Sequence, residues 1–284
     1  MGGKLKGKST VIKALNNNMV LVKNNGIEKI LLSKGIGFNR KSDDIISEDI
    51  KIDKIFSIED EQNQENLKEV YSRVDGEFVA VCEEAIAEIC EELDEELNES
   101  IHIGLIDHLA LAMKRLKNKE EISNPFIVEI ETLYNVEFEM AKKIIKKIQR
   151  KYKIKFPKGE VGFITLHIHS ARHGRKLSNT IKYSYLANRI VGHIEHRFNA
   201  KINKKSLDYA RFLSHIRFTM ERILTDTLLR NDLIDAIKSS YPESYKIAEE
   251  SAKIIEEILD KKVIEDEIAY IAMHIERFRI SLCK

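Results

Sequence analysis

From Leu67 to Leu97, apolar side chains recur every three or four residues: Leu67, Tyr71, Val74, Phe78, Val81, Ala85, Ile89, Leu93 and Leu97. That period predicts an amphipathic helix over 66–98 with an acidic outer face, bent or broken near Gly76. The same period predicts helices over 101–117, 123–134, 137–153 and 160–172, then 181–198, 206–224, 228–239, 243–259 and 265–280. Asn124-Pro125 and Phe156-Pro157-Lys158-Gly159 punctuate them, and the basic, polar 172–180 reads as a linker. Upstream the pattern changes to short β segments, TVIKAL, MVLVK and IEKILLS. The polar run Asn16, Asn17, Asn18 separates the first two, and Asn25-Gly26 is a two-residue hairpin signal between the next two. Residues 1–9 read as a flexible lead.

The helical part repeats itself. A shift of 107 residues carries IHIGLIDHLALAMKR (101–115) onto DYARFLSHIRFTMER (208–222), placing His108 on His215. The same shift places Glu160 on Glu267, Phe163 on Tyr270 and His167 on His274. Two five-helix bundles of this length can each hold a core, and two units so long are no solenoid. The expected fold is mainly α. A small all-β domain over 1–58 precedes two homologous five-helix bundles over 59–173 and 174–284. The β unit can bury only a small core, so it needs a partner or a second copy of itself.

Charge sharpens this division. Residues 1–58 hold 11 Lys and Arg against 6 Asp and Glu, whereas 59–99 hold 2 against 16. The asymmetry fits an anion-binding end beside an acidic connector, and equally one solvated acidic helix. Three cysteines without motif spacing, Cys82, Cys90 and Cys283, point to a reducing compartment. No signal peptide and no spanning apolar run are visible, so the expected location is cytoplasmic, without membrane insertion.

Two groups of residues carry candidate chemistry. The loop KGIGFNRK joins Lys34, Arg40 and Lys41 to Phe38 and two glycines. An aromatic face, phosphate-pairing cations and close backbone approach are the ingredients of looped RNA recognition. The alternative reading makes Phe38 core and Gly35 and Gly37 plain turn residues. The second group is the histidines. Of nine, only His108/His215 and His167/His274 pair with histidine across the repeat. One reading is helix-surface or core histidines inherited by duplication. Two per copy fall short of a zinc ligand set, so no metal and no cofactor are expected. No serine elbow, HExxH, phosphate-cradling loop or dinucleotide fingerprint occurs, so no enzyme is expected. The remaining reading is a phosphoacceptor, since a neutral imidazole is nucleophilic near physiological pH. Phosphorylation would place new negative charge at a bundle or subunit interface and so switch an association.

At these residues the chain becomes recognisable. IHIGLIDHLALAMKR, the NPF at 124–126, GEVGFITLHIHSA and IAYIAMHIERFR resemble the two PTS-regulation domains of BglG/LicT-type transcriptional antiterminators. VIKALNNNMVLV and SKGIGFNRKSDDII resemble that family's small RNA-binding domain. KGIGF and LHIHSA are most similar to the branch controlling glucose phosphotransferase genes. The resemblance implies a homodimer that binds a leader-RNA hairpin and prevents formation of an overlapping terminator. It implies RNA contacts at Lys13, Asn18, Lys34, Gly35, Phe38, Asn39 and Arg40. Lys34 stands where some relatives carry arginine, which keeps the charge and loses bidentate contacts. It further implies that a sugar-specific transporter (enzyme II) phosphorylates His108 and His167, inactivating the protein when sugar is absent. The general PTS phosphocarrier protein would target His215 and His274. Asp107 precedes His108 and Ser214 precedes His215, so the two copies differ beside the histidine. A DNA-binding activator with the same regulatory modules is the competing expectation. It is disfavoured because residues 1–58 show short β segments and no helix-turn-helix pattern.

Overall fold

The computed structural model describes residues 3–282, which leaves Cys283 outside the described residues. The amino-terminal part is antiparallel β. Strand β1 is Gly3–Lys4, β2 Ser9–Asn16, β3 Met19–Asn24, β4 Ile27–Leu32, β5 Ile45–Ile46, β6 Lys51–Ile52 and β7 Lys54–Ile58. Five of them form one sheet in the order β5-β2-β3-β4-β7, and β1 pairs with β6. Asn25 and Gly26 turn β3 into β4 with φ of 52° and 86°, positive at both central positions as a type I′ turn requires. Val20, Val22 and Leu31 join Leu5, Val11, Ile36, Ile46 and Ile52 in a small buried cluster. Met19, Leu21 and Ile30 are buried as well, so both sides of the central strands are covered.

From Gly3 onward the lead is tied to the sheet. Gly3 and Lys4 are in register with Ile52 and Lys51, and Leu5 is buried in the sheet cluster. Buried Asn24 holds the lead from the other side, its Nδ2 donating to Ser9 Oγ at 2.9 Å and to the Lys6 carbonyl at 3.2 Å. Composition suggested disorder, but one apolar anchor and one buried amide suffice to tie the segment down.

The predicted long helix is two. Helix α1 spans Glu61–Arg73 and α2 spans Gly76–Leu93. Val74 N–H closes α1 on the Val70 carbonyl, and Asp75 caps α2 by accepting from Phe78 N at 3.0 Å. Then follow α3 Ser100–Lys117, α4 Ile127–Leu133, α5 Asn135–Tyr152, α6 Lys158–Arg172, α7 Leu177–Phe198, α8 Leu207–Leu224, α9 Ile234–Ser240, α10 Pro242–Leu259 and α11 Glu265–Leu282. Helices α3, α4 and α5 coincide with α8, α9 and α10 at the 107-residue offset, end for end. The helix expected over 228–239 begins only at Ile234. The chain before it is irregular, with Asn231 N bonded to Asp266 Oδ1 at 2.6 Å. Among the described residues, no helix is long and apolar enough to cross a membrane.

The described chain forms two compact units, one of residues 3–124 with 136–176, the other of 125–135 with 177–282. The β segment is thus continuous with the first bundle. Helix α2 lies on β2, where a Cβ on Gly76 would come 3.4 Å from the Leu15 carbonyl oxygen. The first repeat does not keep its own α4. Val128 and Leu133 pack on the core of the second unit. Fully buried Glu129 accepts there from Tyr209 Oη at 2.7 Å, Lys204 Nζ at 2.8 Å and Asn188 Nδ2 at 3.3 Å. The counterparts of those three in the first copy are His102, Leu97 and Val81. Leu97 and Val81 offer no donor, and His102 is bound elsewhere, so a buried carboxylate on α4 finds its partners only in the second copy.

Candidate functional site

The loop after β4 is stitched to the tip of the β2–β3 hairpin. Asn18 Oδ1 accepts from Gly35 N at 2.9 Å, the Asn17 carbonyl from Gly37 N at 2.9 Å and the Asn18 carbonyl from Ser33 N at 3.0 Å. Gly35 has φ +75°, and a Cβ on Gly37 would lie 2.0 Å from the Asn16 carbonyl oxygen. Gly37→Ala should therefore force the loop off the hairpin, at a cost of about 1–3 kcal/mol by the usual scale of overpacking. Urea denaturation checks it, and an unchanged midpoint would show that the loop yields freely. This framework holds Phe38 62% exposed, which rejects its reading as core. Lys34, Gly35 and Asn39 are exposed beside it, and the Arg40 guanidinium reaches the Ile45 carbonyl at 3.4 Å. Lys13 does not join them. It lies half-buried on β2, and its ammonium donates to the Tyr71 carbonyl at 2.6 Å, in the last turn of α1.

The paired histidines meet within each unit. His108 on α3 and His167 on α6 stack obliquely with ring centroids 5.3 Å apart. His215 on α8 and His274 on α11 do so at 4.7 Å. All four are half-buried. Phe163 and Tyr270 flank His108 and His215 at 5.7 and 5.6 Å, so the repeat preserves the aromatic wall as well. Burial, with the neighbouring His108, pushes the His167 pKa down to about 3. Burial with His274 takes His215 to about 4, and burial with Arg277 takes His274 to about 4. These three imidazoles are uncharged at neutral pH and each keeps a lone pair on one nitrogen.

The carboxylates beside the two pairs differ. His108 Nε2 lies 2.9 Å from Glu160 Oε2, and Arg115 donates to Glu160 Oε1 at 2.9 Å. In the second unit Glu267 accepts from Arg222 Nε at 2.5 Å, Arg222 Nη2 at 2.7 Å and Thr219 Oγ1 at 2.7 Å. His215 Nε2 is buried there without a hydrogen-bond partner.

A PRD domain model matches residues 83–171 and again 188–278, and a CAT RNA binding domain model matches 10–65. The chain is 40% identical over 276 residues to the PtsGHI operon antiterminator of Bacillus subtilis, covering 96% of this chain and 98% of that protein. It is 31% identical over 270 residues to the GlcA/glcB genes antiterminator of Staphylococcus carnosus, covering 94% of each. The chain belongs to the BglG/LicT-type antiterminator family. The solved CAT-PRDI structure of GlcT is also similar, at 40% identity and a TM-score of 0.51, covering 58% of this chain and 99% of that one. Within this antiterminator, the CAT match contains Lys13, Asn18 and the whole 33–40 loop, and each PRD match contains one histidine pair.

Sequence reasoning passed over two clusters in this antiterminator, one buried and one ending at exposed His173. Tyr71 Oη donates to Glu83 Oε1 at 2.5 Å and His102 Nδ1 lies 2.6 Å from Glu83 Oε2, all three buried. Glu137, His169 and His173 have metal-ligand spacing among the described residues. Arg172 already brings its guanidinium to 3.3 Å from Glu137 Oε1, so that position carries its own cation. Neither cluster repeats: at the shifted positions Glu83 becomes Ile190 and Glu137 becomes Ser244. The filter of repetition that isolated the histidine pairs therefore removed both clusters.

Proposed function

We propose that this chain is a sequence-specific RNA-binding transcriptional antiterminator of a glucose phosphotransferase operon, acting as a cytoplasmic, non-enzymatic homodimer. Residues 1–58 would bind a leader-RNA hairpin, and the modules over 59–173 and 174–284 would carry the control. The observation that carries the reading is Phe38, an aromatic face held out to solvent on a loop pinned to Asn18. Lys34, Asn39 and the Gly35 backbone lie beside it, offering a phosphate cation, an amide and close approach. Names of two relatives, a PtsGHI operon antiterminator and a GlcA/glcB genes antiterminator, supply the operon class.

Phe38→Ala should weaken binding to the leader upstream of a neighbouring sugar-transporter gene by about 1–3 kcal/mol, or roughly 5- to 150-fold. Filter binding with the full chain measures it, and affinity should fall as salt rises. Unchanged affinity in Phe38→Ala would remove the loop from the interface. Preference for duplex DNA over hairpin RNA in competition would replace this reading with a DNA-binding activator.

The histidine pairs supply the control. Transfer of phosphate from the sugar transporter to His108 or His167 would add about 1.5–2 negative charges to a half-buried group. The general phosphocarrier would act on His215 and His274. His108→Ala and His167→Ala should then give sugar-independent expression of a leader reporter, and the Asp variants low expression. Two alanine variants that remain fully sugar-dependent would take the sensor out of the first module.

A further inference from the structure

We infer that Glu160 is a positioning residue that fixes Nδ1 of His108 as the nucleophilic atom of the first module, and that Thr219 withholds the equivalent carboxylate from His215. The inference rests on the reading of His108 as a phosphoacceptor and adds which atom reacts and why the two modules differ.

The argument starts from what Glu160 can do. Burial favours its neutral form, but the hydrogen bonds from His108 and Arg115 outweigh burial and hold the carboxyl below the usual range. An ionised carboxylate only accepts. The atom facing it at 2.9 Å, His108 Nε2, must therefore be N–H. In a neutral imidazole that leaves the lone pair on Nδ1. A carboxylate behind one ring nitrogen also raises the basicity of the other and orients the ring, as the outer partners of metal-binding histidines do.

The transfer step balances without a further reactant. The Nδ1 lone pair attacks phosphorus of a phosphohistidine or phosphocysteine protein. The new N–P bond forms as the donor's N–P or S–P bond breaks, and the bonding pair leaves with the donor's imidazole or thiolate. No proton need leave His108. Its Nε2–H stays on Glu160, whose negative charge offsets the positive charge that the ring acquires.

The second module has the same glutamate and a different outcome. At the offset of 107 residues, Ala112 becomes Thr219. The Thr219 hydroxyl bonds Glu267 Oε2 at 2.7 Å, and Arg222 bonds both oxygens of that carboxylate. Its counterpart Arg115 delivers a single contact to Glu160 and leaves Nε buried and unbonded. Glu160 can therefore give one oxygen to histidine. Glu267 is filled by threonine and arginine, and His215 Nε2 is left without an acceptor. A hydroxyl present at 219 and absent at 112, together with the two-pronged grip of Arg222 where Arg115 makes one contact, separates the two.

Long-range 1H–15N spectra of the histidine-labelled full chain test this directly. Unphosphorylated His108 should be the Nε2–H tautomer. Glu160→Gln, which turns one acceptor oxygen into an NH2 donor, should reverse it to Nδ1–H. A merely structural glutamate would not move this signature. Thr219→Ala leaves the first module untouched and should free Glu267, giving His215 the Nε2–H state that His108 has in the native chain. After phosphorylation by a phosphohistidine phosphocarrier or a phosphocysteine transporter domain, His108 should carry phosphate on Nδ1. A native His108 in the Nδ1–H form, an unmoved tautomer in both variants, or phosphate on His108 Nε2 would each overturn the inference. No phosphate on His108 from either donor would instead overturn the phosphoacceptor reading, and the assignment of a nucleophile with it, even with the tautomers as expected.

Discussion

Lowering the pH from about 6.5 to about 4.5 should cost this protein several kcal/mol of stability, on the linkage of about 1.4 kcal/mol per pH unit for each shifted group. His167, His215 and His274 have folded-state pKa values pushed down to about 3, 4 and 4, by burial first and by neighbouring charge second. In the unfolded chain each returns to the ordinary histidine value near 6.5. The sign follows from proton counts. Above the unfolded value both states are neutral and these groups contribute nothing. Below it the unfolded chain takes up protons that the folded chain refuses, so stability falls as pH falls, and the loss levels off only at the folded values. Lowered carboxylates such as Glu137 and Glu160 also lose stabilisation in acid, but only below their ordinary range near 4.5. The window between is therefore a histidine window. Against a total stability of about 5–15 kcal/mol for an ordinary domain, a loss of this size takes the fold close to its limit. Urea midpoints at pH 7.5, 6.5, 5.5 and 4.5 give the slope, and His167→Gln with His215→Gln should flatten it. A slope that the substitutions leave unchanged would mean the imidazoles protonate freely in the folded chain. The same neutrality makes these groups available nucleophiles at pH 7.

Much of this was legible because duplication writes a long-range signal into one sequence. The offset that aligned His108 with His215 also aligned α3 with α8 and α5 with α10 end for end. A shared register is a statement about helices and needs no knowledge of packing. The strands β2, β3 and β4 were legible for a local reason, the hairpin turn at Asn25-Gly26. Two-residue pairings such as β1 with β6 carry no periodicity, so they stayed hidden. What symmetry concealed was its own breaking. Glu129 lies where the second copy has Ala236, and a buried carboxylate needs donors that only the second copy provides. The candidate RNA site divided in the same way. The loop chemistry of Lys34 to Arg40 could be read from residue types, whereas the exposure of Phe38 and the contact of Lys13 with α1 depend on tertiary docking.

Removing the carboxylate of Glu83 should be the most damaging single change in the first unit, at about 3–5 kcal/mol on the scale for breaking a buried charged pair. Glu83 comes from α2, Tyr71 from α1 and His102 from α3, so one side chain ties three helices. Phe56 of β7 stacks on the His102 ring at 4.8 Å, which brings the edge of the sheet to the same point. Burial, and then the charge of Glu83, push the Tyr71 hydroxyl well above its usual pKa, so it remains a donor at every physiological pH. Glu83→Ala strands that hydroxyl and the His102 Nδ1, both buried, and each lost partner costs about 1–3 kcal/mol. Glu83→Gln keeps the shape and one acceptor oxygen, so it should cost clearly less. The second copy supports the assignment to packing polarity and not to shape alone, because Ile190 replaces Glu83 there and Tyr209 replaces His102. The double variant Glu83→Ile with His102→Phe removes both buried polar partners together and should recover part of the loss, as apolar replacement of a buried pair does. A double variant no more stable than Glu83→Ala would show that the tyrosine hydroxyl alone accounts for the cost. Because His102 sits on the same helix as His108, and Phe56 on the sheet that bears the candidate RNA loop, denaturation and leader-RNA affinity should be measured on the same preparations. Weakened RNA binding in a fully folded Glu83→Gln chain would mean that this joint also sets the posture of the sheet. Unchanged affinity would confine Glu83 to stability.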